Sequence, residues 1–140
     1  MENNKMKLIF SALSENECFA RNVIACFALR LNPSIAQVTD IRTAVSEAVT
    51  NAIVHAYPEN VGEITMESEI KGSSIHINIF DQGVGIDDLE KALEPFYTTK
   101  PDDERSGMGF TIMKSFMDDV KIISQKGQGT KIYMVKNINN

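Results

Sequence analysis

Cysteine is scarce in this chain. Only Cys18 and Cys26 occur in its 140 residues. On a single helix, a rise of 1.5 Å per residue sets them roughly 12 Å apart. A disulfide tolerates a Cα separation of only about 7 Å, so an internal bridge is excluded on that reading. Both are expected to be reduced and buried, as in a cytosolic protein. No Cys/His cluster has the spacing of zinc ligands. Long apolar runs are missing too, and none approaches the ~18–20 residues of a membrane helix. The start, Met1-Glu2-Asn3-Asn4-Lys5, lacks the basic end and apolar core of a secretory signal. The chain is expected to be soluble and cytoplasmic. Positive charge is the third shortage, with 14 basic against 19 acidic side chains and a net charge of −5. Duplex-binding surfaces carry a basic stripe, and the sequence has none. Neither nucleic acid nor an anionic membrane surface is an expected direct partner. Repeats, low-complexity tracts and internal linkers are also absent.

What remains is ordinary globular material. Apolar residues make up 43% and charged residues 24%, against the composition of a disordered chain. The length fits one domain, residues 1–140, able to bury a sizeable core without staples.

Local patterns divide the chain into elements. Met6 to Phe10 is a short apolar run, expected to be a strand. Ser14-Glu15-Asn16-Glu17 has the spacing of a capping box. It introduces an amphipathic helix to about Arg30, with Phe19, Val23, Phe27 and Leu31 on one face. Asn32-Pro33 stops it. A longer helix is expected from Ser34 to Tyr57, with the stripe Val38, Ile41, Val45, Ala48, Val49 and Ala52. Pro58 ends it. Glu63 to Ile70, the turn Lys71-Gly72-Ser73-Ser74, and the alternation of Ile75, Ile77 and Ile79 with His76, Asn78 and Phe80 describe a hairpin. A Gly-rich stretch, Asp81 to Gly85, closes it. A short helix is expected over 87–93 and a long loop over 94–106, of the kind that often serves as a lid. Gly107 to Val120 is expected to be helical, with Met113, Phe116, Met117 and Val120 inward. Strands over Lys121–Gln125 and Thr130–Lys136 flank Gly127-Gln128-Gly129. The order β-α-α-β-β-loop-α-β-β lacks strict βα alternation. It implies a two-layer α/β (α+β) sandwich, with a mixed, mostly antiparallel sheet covered by helices on one face.

Four polar features interrupt this pattern. Glu47, Asn51 and His55 recur at i, i+4 and i+8, so they share a helix face. A stripe of this kind is ordinarily solvated, but Ala48, Val49, Ala52 and Ile53 surround it, and a buried carboxylate needs a partner or a task. Asp81-x-Gly83-x-Gly85 is either a tight turn or a backbone that passes close to a planar ligand while Asp81 accepts a hydrogen bond. Ser106-Gly107-Met108-Gly109, ahead of a helix, is either a cap or an anion cradle, with Lys100 and Arg105 as nearby cationic donors. Gly127-x-Gly129-Thr130 alone is a hairpin turn.

Taken in order, these features resemble the GHKL superfamily of ATPases and kinases, which share the Bergerat nucleotide-binding fold. The N box matches at Glu47-Ala48-Val49-Thr50-Asn51-Ala52, the G1 box at Asp81-x-Gly83-x-Gly85, the G2 box at Gly107-x-Gly109, and the final Gly-Thr at Gly129-Thr130. The run Glu94 to Pro101 resembles the ATP lid. The resemblance covers nearly the whole chain. The chain is expected to be a bare nucleotide domain, with no helical hairpin bearing a phosphoacceptor histidine before the boxes and no second domain after them. Within the superfamily the chain is therefore similar to the small serine kinases that act as anti-sigma factors in endospore-forming bacteria, and its Ser14-to-Arg30 segment resembles that family's first helix.

That resemblance implies roles, residue by residue. Glu47 would be the general base and Asn51 a Mg²⁺ ligand. Asp81 would bind the adenine amino group, with Gly83 and Gly85 lining the base pocket and Thr130 beside it. Gly107 and Gly109 would hold the triphosphate, and Lys100 and Arg105 would reach it from the lid. Glu17 and Arg21, four apart on the first helix, match positions of partner contact, although such a pair is also an ordinary surface ion pair. His55 is read as a structural histidine and His76 as a plain surface residue. The implied activity uses ATP and Mg²⁺. A homodimer would bind a sporulation sigma factor of the sigma F type and phosphorylate a serine of its anti-anti-sigma antagonist. Other readings are an ATPase switch without a protein substrate, a binding protein with structural nucleotide, a histidine-kinase catalytic domain acting on a separate chain, and a kinase serving a stress-response sigma factor.

Overall fold

A computed structural model describes residues 3–86 and 109–138. The expectations for 87–108, namely the short helix, the lid-like loop, Lys100, Arg105 and the first part of the second glycine motif with Gly107, lie outside the described residues.

Among the described residues, five strands form one sheet. They are β1 (Asn4–Ser11), β2 (Glu63–Lys71), β3 (Ser74–Asp81), β4 (Asp119–Ser124) and β5 (Thr130–Asn137). The spatial order is β1-β2-β3-β5-β4. Every neighbouring pair is antiparallel, so the sheet is more uniform than the mixed one expected from element order. Period-2 alternation sets its two faces. Ile64, Met66 and Ser68 of β2, Ile75, Ile77, Ile79 and Asp81 of β3, and Thr130, Ile132 and Met134 of β5 are buried. The register places these residues opposite one another, as in Met66↔Ile79↔Ile132. One face is therefore covered.

Three helices complete the core: α1 (Glu15–Ala28), α2 (Ile35–His55) and α3 (Gly109–Phe116). A 3₁₀ turn over Leu29–Leu31 extends α1, and Asn32 ends it in the left-handed region at φ 50°. The core joins Ile24 of α1, Ile41, Val45 and Val49 of α2, and Phe110 and Met113 of α3 to the inner sheet face. No helix among the described residues is long and apolar enough to cross a membrane.

Several local expectations are corrected. Ser14 is itself helical and its hydroxyl makes no capping bond, because in that conformation its carbonyl accepts the Glu17 N–H at 3.2 Å, while the Glu17 carboxylate accepts the Ser46 hydroxyl of α2. The capping box forms at α2. There the Ser34 hydroxyl accepts the Gln37 N–H at 3.1 Å, and the Gln37 side chain accepts the Ser34 N–H at 2.8 Å. The inner face of α1 is Ala20, Ile24 and Ala28, while Phe19 is 51% exposed. Val23, Phe27 and Leu31 pack at the margin of the core. Two apolar series one residue apart compete for the interior, and the one with two alanines allows closer helix packing. Both cysteines are exposed and unbridged, since they lie on the side of α1 turned away from Ala20, Ile24 and Ala28.

Helix α3 also stops early. Val120 belongs to β4, opposite Met134, and Phe116 is more than a third exposed, whereas Phe110 is buried. The Lys136 ammonium seals the end of α3. It donates to the Phe116 carbonyl at 2.6 Å and to the Asp40 carboxylate at 3.1 Å. Its side chain is only 13% exposed. Lys136→Met keeps the aliphatic stem but leaves both acceptors without their donor. It is expected to lower unfolding free energy by about 1–3 kcal/mol, read by urea titration.

Candidate functional site

The site is built around the C-terminal half of α2. Every residue from Ala44 to Val49 is buried, so this stretch is enclosed on all sides. Glu47 lies within it and is 6% exposed. Asn51 and His55 follow at one-turn intervals and are half-buried. Gly109, the first residue of α3, faces Glu47. A Cβ added there would stand 3.4 Å from Glu47 Oε2. The described start of α3 therefore stands beside the carboxylate. Of the residues expected to form the anion cradle, Gly109 is the described one, and it lies next to Glu47.

The other end of the site is the turn after β3. Asp81 is buried, and its Oδ1 accepts the Gly83 N–H at 2.9 Å and the Thr130 N–H at 3.3 Å. Burial pushes its carboxyl pKa up, and the two backbone donors oppose that shift. Gly83 lies against the end of α2, where a Cβ would overlap the Ala56 carbonyl. The Val84 N–H donates to that same carbonyl at 2.8 Å. Thr130 is buried, and its hydroxyl meets that of Ser124 at 2.7 Å. The Ser124 oxygen also accepts the Ile86 N–H at 2.8 Å, so one hydroxyl pins the end of the Gly-rich turn to the end of β4.

Gly129 closes this corner at φ +79°, and a Cβ there would overlap the Asp81 carbonyl. Conformation and space both demand glycine. Gly129→Ala is expected to cost about 1–3 kcal/mol of stability. It should also displace Thr130 from Asp81, which would appear as a lost protection of the Thr130 amide in hydrogen exchange.

The structure thus brings together Glu47, Asn51 and Gly109 at one end, and Asp81, Gly83, Gly85 and Thr130 at the other. Ala56 lies nine residues beyond Glu47 on α2, about 14 Å along the axis. Glu17 and Arg21 lie on α1 as an ion pair at 3.8 Å. Arg21 is held above its ordinary pKa, chiefly by its hydrogen bond to Cys18 and then by the charge of Glu17. The Ser46–Glu17 bond ties this pair to the residue preceding Glu47. Sequence reasoning missed Ser46, Ser124 and Tyr57. Their signal is weak, because hydroxyl side chains are common and their partners lie far along the chain. His76 also departs from the surface role expected of it. It is half-buried, its ring nitrogen meets the Tyr133 hydroxyl, and burial lowers its pKa.

A family model described as the histidine kinase-like ATPase domain matches residues 10–136. The chain belongs to this family. Its relatives there include anti-sigma F factors. That of Clostridium acetobutylicum is 53% identical over 136 residues, which is 97% of this chain and 95% of the relative. That of Clostridium beijerinckii is 49% identical over 140 residues, 99% and 98% of the two chains. Among solved structures, the RsbU and RsbW domains of a Mycobacterium tuberculosis protein superpose with a TM-score of 0.69 at 16% identity. That match covers 96% of this chain and 32% of the longer one and shows the shared fold.

Proposed function

We propose that this chain is an anti-sigma factor that holds a sporulation sigma factor of the sigma F type. With ATP it phosphorylates a serine on the anti-anti-sigma protein that would otherwise release it. The observation that carries the reading is the buried Glu47 set against the start of α3, with the Asp81 turn at the far end of the same helix. Identity near one half to anti-sigma F factors over nearly the full chain supports the choice of partners.

In this reading ATP is a substrate lying along α2. Asp81 Oδ1 is engaged by two backbone donors, which orients the carboxylate so that Oδ2 can accept from an adenine amino group. Gly83, Gly85 and Gly129 keep side chains out of that corner, and Thr130 adds a hydroxyl beside it. Gly109, with Gly107, Lys100 and Arg105 before it, serves the phosphates. Glu47 accepts the proton of the attacking serine hydroxyl as the oxygen approaches phosphorus. Phosphoryl transfer rests mostly on positioning and charge stabilisation, so a weak base in a fixed place suffices. Among the described residues no three Asp, Glu, His or Cys side chains gather as cation ligands. The donor set fits Mg²⁺ held by the Asn51 amide oxygen, with phosphate and water oxygens as its remaining ligands. When bound, that ion neutralises phosphate charge.

Glu17 and Arg21 present a paired charge on α1 for a protein partner, and a homodimer is the working assembly. The chain is one cytoplasmic domain. The test is to incubate it with labelled Mg-ATP, a sigma F type factor and the anti-anti-sigma protein. Acid-stable phosphoserine on the latter is the expected product. Inorganic phosphate alone would instead make the chain an ATP-gated switch, and acid-labile phosphohistidine would make it a histidine kinase domain.

A further inference from the structure

Three successive peptide N–H groups of the Asp81 turn are held, two of them by the residues that follow α2. The Gln82 N–H donates to the Tyr57 hydroxyl at 2.9 Å, the Gly83 N–H to Asp81 Oδ1 at 2.9 Å, and the Val84 N–H to the Ala56 carbonyl at 2.8 Å. Two of these three acceptors, on Ala56 and Tyr57, belong to the two residues that follow α2. The Tyr57 hydroxyl is itself oriented, because it donates to the Glu63 carbonyl at 2.6 Å. Its one hydrogen is thereby committed to the entry of β2, and its lone pair faces Gln82. The ring lies directly on Gly62, where any Cβ would overlap it. A hydroxyl fixed in this way, between a strand entry and a turn 25 residues away, serves as a geometric reference point for that turn.

We propose that Tyr57 is a positioning residue for nucleotide-base recognition. Its hydroxyl sets the peptide between Asp81 and Gln82, and so the direction in which the Asp81 carboxylate presents its second oxygen. The proposal rests on the nucleotide reading of the site. It adds to the family boxes a residue outside them. Tyr57 is ten residues beyond Glu47, just past the end of one continuous helix.

Tyr57→Phe removes a single oxygen and keeps the ring on Gly62. Gln82 is exposed, so water replaces the lost acceptor and global stability should barely change. The turn, however, loses its reference point. The experiment compares full-length wild type, Tyr57→Phe and Asp81→Asn by titration with Mg-ATP and Mg-GTP, alongside amide exchange and thermal unfolding. For Tyr57→Phe, ATP affinity is expected to fall roughly three- to tenfold, the equivalent of one net hydrogen bond. The preference for ATP over GTP should narrow, Gln82 exchange should accelerate, and turnover at saturating ATP should be unchanged. Unaltered ATP affinity and base preference in Tyr57→Phe, with wild type binding ATP and Asp81→Asn binding it more weakly, would overturn the proposal alone. A drop in unfolding temperature with base preference intact would overturn it too, by making the bond merely structural. Wild type that binds neither nucleotide would overturn the nucleotide reading and the proposal together.

Discussion

Replacing Glu47 by glutamine is expected to lower phosphoryl transfer by roughly 10²–10⁴-fold, the range for loss of a positioned general base, while ATP still binds. The amide has nearly the shape of the carboxylate, so the enclosed stretch of α2 around it keeps its packing. Glu47 is 6% exposed and faces Gly109 at the start of α3. Water therefore has little room to take over the role of proton acceptor. The measurement is paired: initial rate of phosphoserine formation on the anti-anti-sigma protein, and calorimetric affinity for ATP on the same preparation. Loss of rate with retained affinity supports the base. Retained rate would remove Glu47 from that role and leave charge neutralisation and positioning as the source of catalysis. Capture of the sigma factor should survive the substitution, because Glu17 and Arg21 lie on α1 and Glu17 keeps its bond to Ser46.

Asp81→Asn should act in opposite directions on binding and on stability. An asparagine oxygen can still accept the Gly83 and Thr130 N–H groups, so the turn keeps its form. The charge that an adenine amino group would meet is gone, and ATP affinity should fall roughly 10- to 100-fold, as for a hydrogen bond to a charged group. Stability should rise. Burial lifts the Asp81 carboxyl above its ordinary pKa, so the folded chain binds this proton more tightly than the unfolded chain does. The favourable contribution of the protonated form is complete below the ordinary carboxylate range. It is lost as pH rises through the elevated value. At neutral pH the ionised group then opposes folding, and the neutral amide relieves it. Thermal unfolding at pH 7 should show the variant as the more stable protein, with the advantage shrinking as pH falls into the carboxylate range. A variant equally stable at all pH values would mean that Asp81 is not charged at a cost. A fully retained ATP affinity would separate the aspartate from base recognition.

Much of the fold was legible because its signals are short in range. The hairpin of β2 and β3 shows in the strict alternation of Ile75, Ile77 and Ile79, and the α2 stripe in its three- and four-residue spacing. The Gly-rich turn after β3 shows in its composition. The candidate site was legible for a different reason. Close approach of backbones at Gly83 and Gly129 admits no side chain, so chemistry imposes a residue type that can be read without coordinates. The errors arose where two local patterns competed. Ser14-x-x-Glu17 and Ser34-x-x-Gln37 are both capping signatures, and only the second forms, because Ser14 is helical and Ser46 takes the Glu17 carboxylate from another helix. On α1 the series Phe19-Val23-Phe27 and Ala20-Ile24-Ala28 are both apolar, and close packing chose the smaller side chains. Helix α3 looked longer because Met117 and Val120 continue its apolar spacing. Lys136 on the Phe116 carbonyl and the pairing of Val120 with Met134 end it sooner.

The sequence by itself determined the order of the described strands and helices, the two-layer class and the glycine-bearing turns, since periodicity, turn chemistry and steric exclusion at glycine act between near neighbours. The tertiary structure alone decided which face of α1 turned inward, that Cys18 and Cys26 stay exposed, and how the two ends of the site are held. Those outcomes depend on bonds across 29 residues from Glu17 to Ser46, 25 from Tyr57 to Gln82 and 49 from Asp81 to Thr130. Such partners compete on equal terms in an unfolded chain and are selected only once the sheet and helices bring them within reach.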